Sequence, residues 1–447
     1  MNDIFDIYPQ KFYLLSRKCR KLFSFESDER SLEHYVEEAF ERLPRIEGGN
    51  VYAEFRFEKS MLDTMTRLSD SLKSKYPSIQ QLPAFFKTLN EGDVFIRHQA
   101  WAPLCDLKRS IIKIKAIDNK RDLTRDDNIF VLNWGTLYLS YETYSYGFLT
   151  DKIYIGESDP TKRVCRFCQK TGQERFKKKA HSIMDALGNK LLFCNEECDE
   201  CNQEFEKSVE RDLYKLLEIN RTLSNISGKN SQHNHLEGLN FHIHPDPGTH
   251  QPVVYIKLDG IVNDVYKGKP TGKLYLYNKG TISYYGVYKG LVKIAVDMIP
   301  SDKICHFKKT GQWVHGDFDE SKLPVFLYGE HDDFFDQPVL DLFFRNEKSP
   351  HFSPYCTAVL YIYDTIFIYI IPFCDVDENE SMPFDSLQSH LAFFRKKQYL
   401  FIGEWEELNP NNKSLLTPFY KIPVFSESVK YRIEYRPSTD KVFKREN

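Results

Sequence analysis

The sequence lacks a charge signature. Its 61 lysines and arginines are offset by 64 aspartates and glutamates, for a formal net charge of -3. A protein built as a whole to grip a polyanion would be strongly basic, so any nucleic-acid contact must come from a local patch. Long apolar runs are also missing. The most apolar stretch, TAVLYIYDTIFIYIIPF from Thr357 to Phe373, is interrupted by Asp364 and rich in Tyr and Ile. It is short for a membrane helix and reads as two buried strands. The first residues, MNDIFDIYPQKFYLLSRKCRK, have neither the basic start nor the continuous apolar core of a secretory signal. A cytoplasmic location is therefore expected, with no membrane partner. Glycine-rich phosphate loops and a G-x-S-x-G nucleophile turn are absent, as is any regular internal repeat. Cysteine is modest too, at ten residues, yet five of them fall between Val164 and Phe205. In a reducing compartment such clustering points to a metal before disulfides.

What is present suits a soluble, multi-domain chain. Hydrophobic residues make up 41% and charged residues 28% of 447 residues. Roughly 100–200 residues per domain gives two to four domains. Aromatics at 15% lean toward β-structure. Met61, Met65, Leu68 and Leu72 recur at helical spacing before Pro77, and SLEHYVEEAFERL (Ser31 to Leu43) and VERDLYKLLEINRTL predict further helices. NIFVLNWGTLYLSYETYSYGFL, from Asn128, alternates and predicts strands. SNISGKNSQHNHLEG reads as a polar, mobile loop. KLYLYNKGTISYYGVYKG places Asn-Lys-Gly between two alternating runs and predicts a β-hairpin. The expected fold class is α+β: a mixed domain over 1–160, a small metal-stapled module over 161–221, a loop or linker over 222–250, and a β-rich domain over 251–447.

The chemistry concentrates in VCRFCQKTGQERFKKKAHSIMDALGNKLLFCNEECDECNQEF. Cys165-x2-Cys168 and Cys198-x2-Cys201 form two knuckles about thirty residues apart. Two such turns supply the four thiolates of a tetrahedral, closed zinc shell, which is structural because no position remains for substrate. Cys194 reads as a small buried hydrophobe. His181, between the knuckles, has an imidazole able to take a proton near neutral pH. Asn202, Glu206 and Glu210 follow at i, i+4 and i+8, which would put them on one helix face. Phe205, Val209 and Leu213 would form the neighbouring apolar stripe. Arg175, Lys177, Lys178 and Lys179 could cradle phosphates without reading sequence.

The order CxxC, Ala-His, Leu-Gly-Asn-Lys and Glu-Cys-x-x-Cys-Asn-x-x-Phe, from Cys165 to Leu213, resembles the HNH endonucleases of the ββα-metal type, in their zinc-knuckle branch. The resemblance implies a metal-dependent nuclease that hydrolyses DNA phosphodiester bonds. It implies His181 as general base, Asn202 as ligand of a Mg2+ or Mn2+ ion, and a central asparagine, Asn189 or Asn195, that steadies the loop. Many members carry a carboxylate directly before the histidine where this chain has Ala180. Glu210 or Glu206 would then share the ion. The implied partner is DNA, the implied setting a regulated bacterial anti-phage effector, and an accessory or self-assembly partner could act through the flanking domains. Two alternatives stand beside this reading: an HNH-like zinc protein that binds nucleic acid without cutting, and an RNA-cutting relative.

Other clusters read as bland. His233, His235, His242, His244 and His250 sit in a polar stretch with no matching cysteine or acidic frame. HDDFFD (His331 to Asp336) and DVDENE (Asp375 to Glu380) lack calcium-loop spacing and read as solvated turns.

Overall fold

The computed structural model describes residues 11–16, 20–24, 30–48, 52–99, 141–147, 152–226, 235–249, 251–257, 273–318, 322–349, 353–378, 384–398, 402–423 and 432–436. The chain divides into two compact units, Met1–Tyr138 and Leu139–Asn447.

In the first unit, β1 (Lys11–Ser16), β2 (Arg20–Ser24), β3 (Arg45–Gly48), β4 (Tyr52–Arg56) and β5 (Val94–Gln99) form one sheet in the order β2-β1-β5-β4-β3. Every neighbouring pair is antiparallel. Helices α1 (Arg30–Glu41), α2 (Lys59–Leu72) and α3 (Gln81–Phe86) contribute to one core with it. The helical spacing is real: Met61 and Met65 are buried, and a 3-10 turn starts at Pro77. The core is aromatic, with Phe40, Phe55, Phe86 and Phe95 in mutual ring contact.

The second unit begins with β6 (Glu142–Tyr146), β7 (Ile153–Ile155), β8 (Ala180–His181) and β9 (Leu192–Cys194). Helices α4 (Asp199–Lys207) and α5 (Arg211–Leu223) follow. Then come β10 (Leu236–Glu237), β11 (Phe241–Pro245), β12 (Pro252–Lys257), β13 (Lys273–Tyr277), α6 (Tyr284–Met298) and α7 (Lys308–His315). The unit ends with β14 (Phe326–Phe344), β15 (Cys356–Ile370), α8 (Asp375–Glu378), α9 (Phe384–Gln398), β16 (Ile402–Leu408), β17 (Phe419–Pro423) and β18 (Arg432–Arg436). Four sheets result: β15-β14-β16 with β6 on β14, β10-β11-β12-β18, β13-β17, and β7-β9-β8.

Helix α6 is the axis of this unit. Ser283 caps it, accepting a hydrogen bond from Gly286 N at 3.0 Å. Eleven of its fifteen residues are buried, the charged Lys293 and Asp297 among them. Contacts along its length tie it to residues 165–213. At its start, Asp212 Oδ2 accepts from Ser283 N (2.8 Å) and Ser283 Oγ (3.0 Å). Midway, Gly290 admits α5: a Cβ there would lie 3.0 Å from Val209 O and 3.1 Å from Leu213 Cβ. At its end, the buried Arg166 guanidinium donates to Val296 O (2.7 Å) and Ile299 O (2.6 Å). These carbonyls are the ones a helix C-terminus leaves without intrahelical partners. One apolar core runs from Cys165 through α6 to β14 and β15.

Several expectations are corrected. Thr357 to Ile370 lies in one strand, not two. Every residue of β15 except Asp364 is buried, and Asp364 Oδ1 accepts from Asn220 Nδ2 at 2.9 Å. Tyr363, with φ 57°, absorbs the irregularity beside register shifts against β14. The hairpin around Asn278 is absent: β13 pairs with β17, and the second run is α6, because the Ser283 cap starts a helix there. Helices α6, α7 and α9 interrupt a region expected to be mostly strand. HDDFFD lies within β14, and Asp375–Glu378 form the short α8. His242 and His244 lie on β11 rather than in a loop. Of the strands predicted from Asn128, Glu142–Tyr146 is β6; residues 128–140 and the loop over 227–234 lie outside the described residues.

Gly311 of α7 abuts the first knuckle, where a Cβ would come within 2.1 Å of Arg166 O. Gly311→Ala is therefore expected to lower the unfolding free energy by about 1–3 kcal/mol, the usual cost of overpacking. Urea denaturation checks this; an unchanged midpoint would refute the close approach.

Candidate nuclease centre

The four cysteine sulfurs all lie within 4.8 Å of one another. Cys165 Sγ is 3.8 Å from Cys201 Sγ, and Cys168 Sγ is 3.7 Å from Cys198 Sγ. Four ligands about 2.3 Å from a zinc ion at tetrahedral angles stand about 3.8 Å apart, so the set fits a closed structural zinc. Local backbone builds it. Gln169, with φ 56°, closes the first knuckle through Gln169 N to Cys165 O at 3.0 Å. The second knuckle runs into α4, where Asn202 N donates to Cys198 O at 2.9 Å. Arg166 N to Glu196 O (2.9 Å) and the Phe167–Phe205 ring pair (4.8 Å) join the two. Hydrogen bonding from Cys165 pushes the Cys168 and Cys198 thiols down, while Cys165 and Cys201 are pushed up, as four close sulfurs share their protons; binding zinc requires all four as thiolates. Cys194 is buried at 3% exposure, as a small hydrophobe should be.

Between the knuckles, β8 and β9 make a short antiparallel hairpin, with Ala180 opposite Cys194 and His181 opposite Phe193. Side chains alternate across a strand, so Ala180 faces the core at 1% exposure while half-buried His181 takes the other face against Phe193, ring centroids 4.5 Å apart. The hairpin loop is tied by Asn189. This buried amide donates to Ile183 O (2.7 Å) and Leu192 O (2.9 Å) and accepts from Leu191 N (3.1 Å) and Leu192 N (2.9 Å). Asn195 sits elsewhere, half-buried before the second knuckle, its N–H donating to Ile155 O at 2.8 Å. Asn202 is half-buried on α4, which Phe205 anchors at 0% exposure.

Residues 165–218 match the family model for HNH endonucleases. This segment is an HNH domain. No curated protein and no solved structure matches the chain.

The helix after the second knuckle of the HNH domain departs from expectation. It ends at Lys207, where Ser208 takes φ -121° and ψ -72° and its hydroxyl donates to Glu204 O at 2.9 Å. Such local side-chain bonding competes with the helical ladder. Glu210 therefore stands at the start of α5, and the shared-face spacing holds for Asn202 and exposed Glu206 only. Glu210 Oε1 lies 2.9 Å from Lys293 Nζ of α6. The same buried ammonium is 3.1 Å from Glu197, 2.9 Å from Asp297, and donates to His181 O at 3.3 Å. Burial disfavours the Lys293 cation, but Asp297, Glu197 and Glu210 together raise its pKa, while burial pushes the Glu197 and Asp297 carboxyls up. Sequence reading missed Lys293; the signal was a lysine with an aspartate at i+4 inside an apolar run.

Among the basic residues, Lys177, Lys178 and Lys179 are exposed. The backbone N–H groups of Lys177 and Lys178 donate to the Asp199 carboxylate (3.3 and 2.9 Å), pinning this stretch to the start of α4. Arg175 is paired with Glu200 at 2.7 Å. Among the described residues, the cysteine set is the group of three or more His, Cys or acidic side chains that meets ligand geometry. His235 and His244 instead bond each other through Nδ1 at 2.7 Å, and His233 and His250 lie outside the described residues.

Elemental analysis of the purified chain should find one zinc per molecule, and Cys165→Ser with Cys168→Ser should abolish it and lower the melting temperature. Metal content unchanged by that pair would rule out the four-sulfur site. Lys293→Met leaves carboxylates buried without their cation and is expected to cost about 3–5 kcal/mol in chemical denaturation. Stability equal to the parent would show that the ammonium is not needed.

Proposed function

We propose that the HNH domain is a metal-dependent endonuclease that hydrolyses DNA phosphodiester bonds. One observation carries this reading most: the family match coincides with a half-buried histidine on the hairpin face opposite core-facing Ala180, in a hairpin whose loop is locked by a buried asparagine. His181 takes the proton from the attacking water, and Phe193 backs its ring. Asn189 is the central asparagine and holds the loop that carries β8 into β9. Asn202 would hold the divalent ion, with Glu206 of the same helix as the added carboxylate, since Glu210, the other candidate, is paired with Lys293. When bound, that ion stabilises charge on the phosphate and on the leaving oxygen. Mg2+ retains several waters and takes one or two protein carboxylates plus substrate phosphate, so a sparse protein ligand set suits it. Lys177, Lys178 and Lys179 meet the backbone phosphates, and Arg175 reaches them once released from Glu200.

Ala180 agrees with this arrangement, because its position is buried opposite Cys194 and a carboxylate there would have to be desolvated. The domain's attachment along α6 also supports a nuclease governed by the rest of the chain, as an anti-phage effector would be. The nucleic-acid-binding alternative keeps every contact except the proton transfer.

Plasmid nicking with Mg2+ or Mn2+ tests the reading. His181→Ala should reduce the rate about 10²–10⁴-fold, the usual contribution of a general base. Equal rates in parent and mutant would remove His181 from the chemistry. Retained DNA binding without cleavage by the parent would favour the binding protein, and faster cutting of labelled RNA would reassign the substrate.

A further inference from the structure

The face of the sheet that carries His181 extends beyond the HNH domain. β7 (Ile153–Ile155) lies outside the matched residues 165–218 and pairs parallel to β9, which places Tyr154 opposite Phe193. Since His181 is also opposite Phe193, the three side chains form one rung across β8, β9 and β7. Residues in one rung point to the same side of a sheet. Their rings are in contact: His181 to Phe193 at 4.5 Å, and Phe193 stacked on Tyr154 at 5.1 Å with planes 18° apart.

Two exposed lysines flank this row. Lys179 precedes His181 by two residues, and its Nζ donates to Tyr154 OH at 3.1 Å and sits 5.1 Å from the ring centre. Lys152 precedes Tyr154 by two residues, and its Nζ stands 5.7 Å from the Phe193 ring centre. The opposite face of the same strands carries Ala180 and Cys194, both buried. The histidine face is thus aromatic between two cations, with Tyr154 at 39% exposure at its edge.

We propose that this rung is a DNA-backbone binding ledge. Lys152 and Lys179 bind phosphates flanking the scissile one, and Tyr154 is a positioning residue that holds the Lys179 ammonium and, through Phe193, the His181 ring. The occupant is argued from charge: phosphates complement two ammonium groups held on aromatic rings beside the proton acceptor. The inference rests on the nuclease reading above but adds β7, which lies outside the matched family segment. It makes part of the substrate site depend on the chain that precedes the first knuckle.

Anisotropy of a labelled 20-base-pair duplex, over a salt series and with the zinc-loaded full chain in the His181→Ala background, reads binding without cleavage. Lys152→Ala should weaken binding on the order of 3–10-fold near 0.1 M salt and reduce the slope of log K against log salt by about 0.9, the value of one phosphate contact. In the otherwise native chain the same substitution should raise KM for cleavage. Tyr154→Ala should lower kcat as well, because Phe193 and His181 lose their backing, and Tyr154→Phe should restore kcat by keeping the ring. Should Tyr154→Ala fail to fold, the Tyr154→Phe and Lys152→Ala pair still reports on the ledge. A parent that cuts DNA while Lys152→Ala binds and cuts with unchanged salt slope and KM would overturn the ledge and leave the nuclease standing. A parent that neither binds nor cuts duplex DNA would overturn both.

Discussion

Four sulfurs that must meet are the constraint on which the nuclease centre rests. The hairpin that carries His181 has two ladder pairs between β8 and β9, too few to hold a shape alone. The segment from Cys165 to Cys201 is brought together by the thiol cluster, and the two knuckles then set the positions of Arg166 and Glu197, which follow or precede the ligands directly in sequence. Four thiolates on one ion would add folding free energy to the apolar core that this segment already shares with α6 and β15. The hairpin that carries His181 leads into the second knuckle, and α4, which carries Asn202, leads out of it.

The same cluster is joined to the rest of its unit through α6. Arg166 and Asp212 meet that helix at its end and start, and Lys293 reaches out from its middle to Glu197 and Glu210. Buried charge is costly unless paired and hydrogen-bonded, and here each cation has one carboxylate on its own side, Glu196 for Arg166 and Asp297 for Lys293, and further partners across the contact. Arg166 of the knuckle answers α6 carbonyls, and Lys293 of α6 answers Glu197 and Glu210 of the HNH domain. The contact fixes which residues of α6 and the HNH domain meet. It also gives a physical route by which residues far along the chain could bear on His181, whose carbonyl accepts from Lys293.

The parts of the site with strong local spacing were readable from sequence. Cys-x2-Cys repeated at zinc spacing is met by four sulfurs within 4.8 Å of one another, and the Ala-His step and the Asn-x-x-Phe that follows the last cysteine fall within the matched residues 165–218. Asn189 and Asn195 could not be separated by spacing, since both fall in the same interval; the difference is that Asn189 turns its amide into the loop. The helical face through Glu210 failed because periodicity carries across Ser208 on paper, whereas a hydroxyl bonded to Glu204 O ends the helix there. The hairpin at Asn278 failed in the opposite way. A turn signal was present, but the capping serine five residues later committed the second run to a helix.

The sequence by itself determined the four-cysteine cluster, the HNH segment and the amphipathic helices, because each depends on residues a few positions apart. The tertiary structure alone decided that α6 runs beneath the HNH domain, that Lys293 sits among three carboxylates, and that Tyr154 shares a rung with His181. Those facts come from pairings between segments separated by tens to more than a hundred residues. Such pairings are selected by the packing of whole faces, which no local pattern records.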